Sequence, residues 1–441
     1  MFQIVANSWA LFLGLGLIML GGGLQGSLLG LRASIEGFGL ASTGLVMSGY
    51  YIGLLIGATI VPKFVGRVGH IRSFGAMASL ASTSILVHAV FVDPLTWWVM
   101  RFVTGFAYAG LFIVSESWLN DASENETRGQ MMSFYMLISL AGMAGGQFML
   151  NIAAPSSYEL FVLISVLVSI AVIPILLSVS RAPDFNTFVS VSVFQLYKVS
   201  PLGVVGMLLT GVVMGAVFGM GAVYAANVGL SVREISFFMG SVVLGGAVLQ
   251  YPVGRLSDLL SRRQVIIATS ACGATAAFIS AYIGSSGVGQ VWKLYLAIAL
   301  VGGFSMPLYA LCVAHTNDYL TPGQMLAASS ALVLSGSIGS AVGAPVSAFA
   351  MEALGQQWFF YTIGFAMMAL CLFALYRTTR RVPVASEDVG EFVVIAPTPM
   401  AAALNPDFGL EDIIAASETD VDEIQESFEE LVQDLESSGR P

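Results

Sequence analysis

The sequence predicts an all-α integral membrane protein of twelve transmembrane helices, arranged as two pseudo-symmetric six-helix bundles. Three observations carry that expectation. Of 441 residues, 56% are hydrophobic and only 10% charged, against about 25% charged in an ordinary soluble domain. Twelve mostly apolar runs follow one another, each near the ~20 residues that a helix needs to cross a bilayer. Short motifs also recur at an offset near 194 residues. This composition excludes a soluble enzyme, a disordered chain and a nucleic-acid binder.

In order, the runs lie at 8–31, 38–61, 73–92, 96–119, 130–153, 160–179, 202–226, 235–253, 264–284, 292–314, 325–349 and 357–376. No Lys or Arg precedes the first run, and Arg32 is the first base. A signal peptide starts basic, so the first run reads as a permanent span. The connections are short, which suits antiparallel neighbours, and the polar–apolar alternation of a membrane β-barrel is absent. Forty-eight glycines fit the packing of membrane helices. The three cysteines, Cys272, Cys312 and Cys371, lie inside apolar runs. They read as buried small hydrophobes, not as a disulfide framework or a zinc site.

Charge is unevenly placed. From Ala385 to Pro441 there are fifteen acids and one base, Arg440. A membrane body of about +4 thus carries a tail of about −14. With the amino terminus cytoplasmic, the inner side holds Lys63, Arg67, Arg72, Arg128, Arg181, Lys198, Arg255, Arg262, Arg263, Arg377, Arg380 and Arg381. The outer side holds Arg32, Arg101, Arg233 and Lys293. This positive-inside bias predicts a multi-pass protein of the inner (cytoplasmic) membrane with both termini in the cytoplasm.

The repeat is specific. Val65-Gly66-Arg67-Val68-Gly69-His70-Ile71-Arg72 after the second run answers Gly254-Arg255-Leu256-Ser257-Asp258-Leu259-Leu260-Ser261-Arg262-Arg263 after the eighth. Asn120-Asp121 and Gly129-Gln130-Met131 answer Asn317-Asp318 and Gly323-Gln324-Met325. Gly105-Phe106 answers Gly303-Phe304. The expected organisation is an N-terminal six-helix bundle over 1–179, a cytoplasmic linker over 180–200, a C-terminal bundle over 201–380 and an acidic tail over 381–441. Transporters built from two such halves place their substrate between them, near the bilayer midplane.

These motifs resemble the major facilitator superfamily. Gly254-x-x-x-Asp258-x-x-x-Arg262-Arg263 is similar to its loop signature, and the first-half copy keeps Arg67 and Gly69 but has Gly66 where the family has Asp. Arg101-x-x-x-Gly105 resembles the family's fourth-span arginine motif. Glu116-Ser117-Trp118-Leu119-Asn120 and Ala314-His315-Thr316-Asn317-Asp318 resemble the YcaD-like branch. The resemblance implies a transporter fold whose first, fourth, seventh and tenth spans line the cavity. It implies a cytoplasmic gate at Arg67, Gly69, Gly254, Asp258, Arg262 and Arg263. A carboxylate there can meet guanidinium groups and a helix amino end, closing one face of the protein.

Six residues are candidates for substrate or coupling. Arg101 lies just inside the outer end of the fourth run, where an arginine against lipid is costly. It should face a cavity, and its repeat counterpart is Ala299. Glu116 is the acid well inside a run, either a carrier of the coupling proton or a brace to Arg67 or Arg128. His315, at the matching end of the tenth run, is a titrating group or a hydrogen-bonded structural one. Gln25, Tyr108 and Tyr309 are polar or aromatic groups deep in runs one, four and ten. His88 and Glu36 read as structural or surface groups. Gly142-Met143-Ala144-Gly145-Gly146 resembles the glycine-rich segment of antiporters without its proline.

The tail carries Val421, Ile424, Phe428, Leu431 and Leu435 at helical spacing. This marks an amphipathic helix near 420–436 in an otherwise disordered segment. It is mobile, or it docks on a cytoplasmic protein partner or on the protein's own basic inner face. No GxxxxGK loop, metal cluster or nucleophile constellation occurs, so neither ATP hydrolysis nor another enzyme activity is expected, and no cofactor. The expected function is secondary active transport of a small organic solute by a proton-coupled monomer. A multidrug-type exporter and a non-transporting sensor or assembly factor that works through the tail are the alternatives.

Overall fold

A computed structural model describes residues 8–121, 128–177, 191–285, 291–380 and 421–437. Within them the chain is helical. The first half contains α1 (Trp9–Ile35), α2 (Leu40–Val68), α3 (His70–Val90), α4 (Pro94–Asp121), α5 (Arg128–Met149) and α6 (Glu159–Leu177). A short α7 (Val193–Val199) precedes α8 (Pro201–Asn227), α9 (Val232–Leu259), α10 (Arg262–Ser285), α11 (Val291–Asn317), α12 (Pro322–Leu354) and α13 (Trp358–Thr378). Finally α14 spans Val421–Ser437.

Eleven of the described helices are long and apolar enough to cross a membrane. The remaining long helix, α5, has 22 residues and more polar side chains. Those deep in it are satisfied within the bundle. Gln147 Nε2 donates to the Gly23 carbonyl at 3.0 Å and its oxygen accepts from Ser27, while Tyr135 donates to Glu116. A span can carry such groups when neighbouring helices bond them. Large apolar side chains such as Leu137, Leu177, Val248 and Phe365 stay exposed, as a lipid-facing surface requires.

Two helix ends correct the sequence-based boundaries. Helix α2 continues past residue 61 to Val68, and α9 past residue 253 to Leu259. Arg67, Gly254 and Asp258 therefore sit on final helical turns, not in loops. Beyond the hydrocarbon layer a helix no longer needs apolar residues, so hydropathy loses it while backbone hydrogen bonding continues. Gly69 ends α2 with φ +87°, its N–H bonded to the Val65 carbonyl at 2.9 Å. That left-handed conformation favours a residue without Cβ.

Within each half, glycines let backbones touch. A Cβ on Gly105 of α4 would collide with the Tyr50 carbonyl of α2, and one on Gly302 of α11 with the Val242 carbonyl of α9. The same helix pair is thus used once per repeat. Gly105→Val is expected to cost about 1–3 kcal/mol through overpacking, read as a lowered unfolding midpoint in detergent. Gly26→Ala, with nothing within 4 Å of its would-be Cβ, is the neutral control.

Call the side where α1 begins and α13 ends the terminal face, and the opposite side the distal face. Among the described residues, the halves meet at the distal face through several helix pairs. The Ala41 N–H of α2 donates to Glu352 of α12 at 2.7 Å. Asn151, just past α5, donates to Ser236 of α9 at 2.9 Å, beside a Phe148–Phe237 ring contact at 5.4 Å. Gly30 of α1 lies against Val223 and Ala222 of α8. At the terminal face, α14 packs on α7 and α12. Ile424 and Phe428 are buried there, and Gln324 Nε2 donates to the Ser427 carbonyl and hydroxyl at 3.3 Å. Residues 381–420 and 438–441, the rest of the expected disordered tail, lie outside the described residues.

Candidate functional site

Helix α4 starts at Pro94, with the Asp93 carboxylate accepting from the Thr96 N–H at 2.9 Å. Arg101 follows two turns in, 6% exposed. Gly49 of α2 leaves room for its stem. The guanidinium carbon lies 4.7 Å from the centroid of the Tyr50 ring. Tyr51 and Tyr108 are within electrostatic reach. Among the described residues no hydrogen bond or ion pair engages the guanidinium, and its Nε is buried. A cation–π contact is worth about 2 kcal/mol when desolvated, well short of a full counter-charge.

The wall continues from Arg101. The Tyr50 ring meets Tyr108 edge-on at 6.1 Å, and the Tyr108 hydroxyl donates to the Ile18 carbonyl of α1 at 3.4 Å. Tyr108 lies against Gly22. One turn along α1, Gln25 is buried and its Nε2 has no hydrogen-bond partner among the described residues. Arg101, Tyr108 and Gln25, singled out from sequence, therefore belong to one region of α1, α2 and α4. Tyr50 and Tyr51 were missed. The adjacent tyrosine pair in the second run was the available signal.

The other candidates lie elsewhere. Glu116 is fifteen residues after Arg101, about 22 Å along the helix. It is fully buried and accepts from the Tyr135 hydroxyl at 2.5 Å. Tyr309 of the second half lies within its electrostatic reach. Arg67 is exposed, and the Arg128 side chain lies outside the described residues. His315 is buried, edge-on to Tyr319 at 5.3 Å. His88 bonds the Ser84 carbonyl through Nδ1 at 2.7 Å and meets Trp97 edge-on. Glu36 pairs with Arg32 at 2.6 Å.

In the second-half gate motif, Arg262 and Arg263 are buried rather than solvated. Arg262 donates to the Ala314 carbonyl at 2.6 Å and forms an ion pair with Asp318, just beyond α11. Arg263 reaches the Arg377 carbonyl at 3.3 Å and the Tyr319 hydroxyl at 3.5 Å. The two arginines tie α10 to α11 and α13. Asp258 is exposed on the last turn of α9. Asp318, seen in the sequence as a repeat marker and the end of a branch motif but not as a site residue, is the carboxylate paired with Arg262. Burial pushes its carboxyl up to about 7, against the opposing pull of Arg262. Among the described residues, no group of three or more His, Cys, Asp or Glu side chains is placed to hold a metal.

Comparisons with known proteins agree with this architecture. The sequence profile described as Major Facilitator Superfamily matches residues 202–416. The MFS-type transporter YcaD of Escherichia fergusonii is 25% identical over 339 residues, 76% of this chain and 86% of that protein. The MFS-type transporter Ent638_1421 of Enterobacter sp. (strain 638) is 26% identical over 360 residues, 80% of this chain and 91% of its own length. Among solved structures, the nucleoside transporter NupG superposes with TM-score 0.70 at 14% identity, covering 84% of this chain and 98% of that one. The D-xylose-proton symporter superposes with TM-score 0.62 at 12% identity, covering 84% and 96%. With its multi-pass helical fold, the chain is thus similar over most of its length to YcaD-like MFS-type transporters, and its second half matches the Major Facilitator Superfamily profile.

Proposed function

We propose that the protein is a proton-coupled secondary transporter of a small organic solute carrying negative charge, working by alternating access in the inner membrane. The observation that carries the reading is Arg101, a buried guanidinium over Tyr50 with no counter-charge among the described residues. A buried unpaired cation is costly, so a wall that keeps one is suited to an anionic ligand. Gln25 offers an unbonded amide on the same wall. The tyrosine faces suit the apolar body of an organic acid better than a bare inorganic ion.

Proton coupling is supported by Glu116, a buried carboxylate held by Tyr135, and by the likeness in fold to a D-xylose-proton symporter. The sealed distal face supports alternating access, with residues 180–200 as the link between two moving halves. On this reading the distal face is external, the terminal face is cytoplasmic, and the solute site opens inward. Uptake or efflux of labelled organic acids by proteoliposomes, with and without a pH gradient, tests the proposal. Flux that ignores the pH gradient would remove the coupling; absence of flux for acids and neutral analogues alike would favour a sensor.

Two further expectations follow from the reading. Reporter fusions at the amino terminus and after Val384 should both read cytoplasmic, and opposite readings would break the twelve-span count. Asp258→Asn should lower turnover severalfold while solute affinity stays within a few fold. Unchanged turnover would take Asp258 out of the gate.

A further inference from the structure

Helix α14 is a seated part of the C-terminal half. Phe428 is 1% exposed, Ile424 is buried beside it, and Gln324 from the first turn of α12 bonds Ser427. An amphipathic helix anchored by its apolar stripe presents its other face outward. Here that face carries Glu423, Glu426, Glu429 and Glu430, all exposed. Across the interface, the end of α2 and the start of α3 present Lys63, Arg67 and Arg72. These are likewise exposed and without an ion pair among the described residues.

The helix pair that joins the halves relates these surfaces. Near the distal face α2 and α12 are in contact, with Gly44 against Ala348, Ala344 and Pro345. If the halves rock, opening that end brings together the opposite ends of the same two helices. Those ends are the Lys63–Arg67 turn of α2 and the Pro322–Met325 turn of α12, where α14 is seated.

We propose that α14 is an electrostatic latch: it is carried by the C-terminal half and clasps the basic α2–α3 corner when the terminal face closes. The inference rests on the alternating-access reading above. A ligand or segment shifts a two-state equilibrium only by its differential interaction with the two states. The glutamates and the basic corner are both solvated now and would be paired in the closed state. Their attraction therefore favours terminal-face closure and weakens with salt.

The test uses the full chain in nanodiscs of zwitterionic lipid, with its cysteines replaced and spin labels at Ile35→Cys and Ala353→Cys across the distal face. Electron–electron distance measurements report the ratio of distal-open to distal-closed molecules. Replacing all four glutamates by glutamine should lower that ratio about threefold or more and leave the α14 seat intact. Sodium chloride at high concentration should lower it in the parent and not in the variant. Phe428→Asp, which unseats the helix, should act in the same direction. Lys63→Glu with Arg72→Glu should lower the ratio too, and Glu426→Lys with Glu430→Lys in that background should raise it again. An unchanged or increased ratio in the glutamine variant overturns the latch, an increase marking α14 as a wedge. A single distance in the parent under every condition would instead overturn the alternating-access reading, and the latch with it.

Discussion

Arg101→Ala is expected to abolish concentrative transport while the protein remains monodisperse in detergent. The substitution removes a buried guanidinium that no described carboxylate neutralises, so the unfolding midpoint should hold or rise. Most buried ionic substitutions do the reverse, because they leave a partner charge stranded. Here Tyr50 loses only a cation over its ring. Arg101→Lys should recover little, since an ammonium on a flexible stem lacks the planar fork that meets an oxyanion at two points. Flux against a gradient, paired with size-exclusion chromatography of each variant, makes the measurement. Near-normal concentrative flux by Arg101→Ala would reduce Arg101 to a packing residue.

Arg262→Ala should have the largest effect on stability. It leaves the Asp318 carboxylate buried without the guanidinium that pairs with it. Breaking a buried pair from one side costs roughly 3–5 kcal/mol. The deficit should depend on pH. A carboxyl held near 7 in the folded protein binds more protons folded than unfolded between about 4 and 7. Its contribution to stability therefore falls as pH rises through that window. Without Arg262 the opposing pull is gone, and the window extends to higher pH. Thermal unfolding in detergent should show the variant far below the parent at pH 8 and closer to it at pH 5. Adding Asp318→Asn should recover much of the loss at pH 8. A deficit equal at both pH values would mean that the carboxylate is not the source.

Much of this architecture was legible because a bilayer is a demanding solvent. Every span must be apolar for about 20 residues, and that constraint alone located the membrane helices. It failed where the constraint lapses. The last turns of α2 and α9 carry Lys63, Arg67, Arg255 and Asp258 outside the hydrocarbon, so hydropathy ended both helices early. The repeat at Gly105 and Gly303 marked two helix pairs that approach closely, although in the second half it is the neighbouring Gly302 that meets a backbone carbonyl, while Gly303 lies against the Leu249 side chain. The motif resemblance pointed to Arg262 and Arg263, but not to the carboxylate that pairs with Arg262. Asp318 comes from a different helix end, and no local pattern in the sequence says which carboxylate folds back onto which arginine. Tyr50 was hidden for a similar reason. An aromatic residue in an apolar run reads as packing until the fold places a guanidinium over it.

The central claim is that Arg101 makes the site selective for negative charge. Thermal-shift screening of the purified protein against organic acids, each paired with its uncharged amide, tests it most directly, because a ligand that binds only the folded state raises its stability. Acids should raise the midpoint of the parent, their amides should not, and both should fail on Arg101→Ala. Stabilisation by amides as strongly as by acids, or acid stabilisation that persists in Arg101→Ala, would contradict the account.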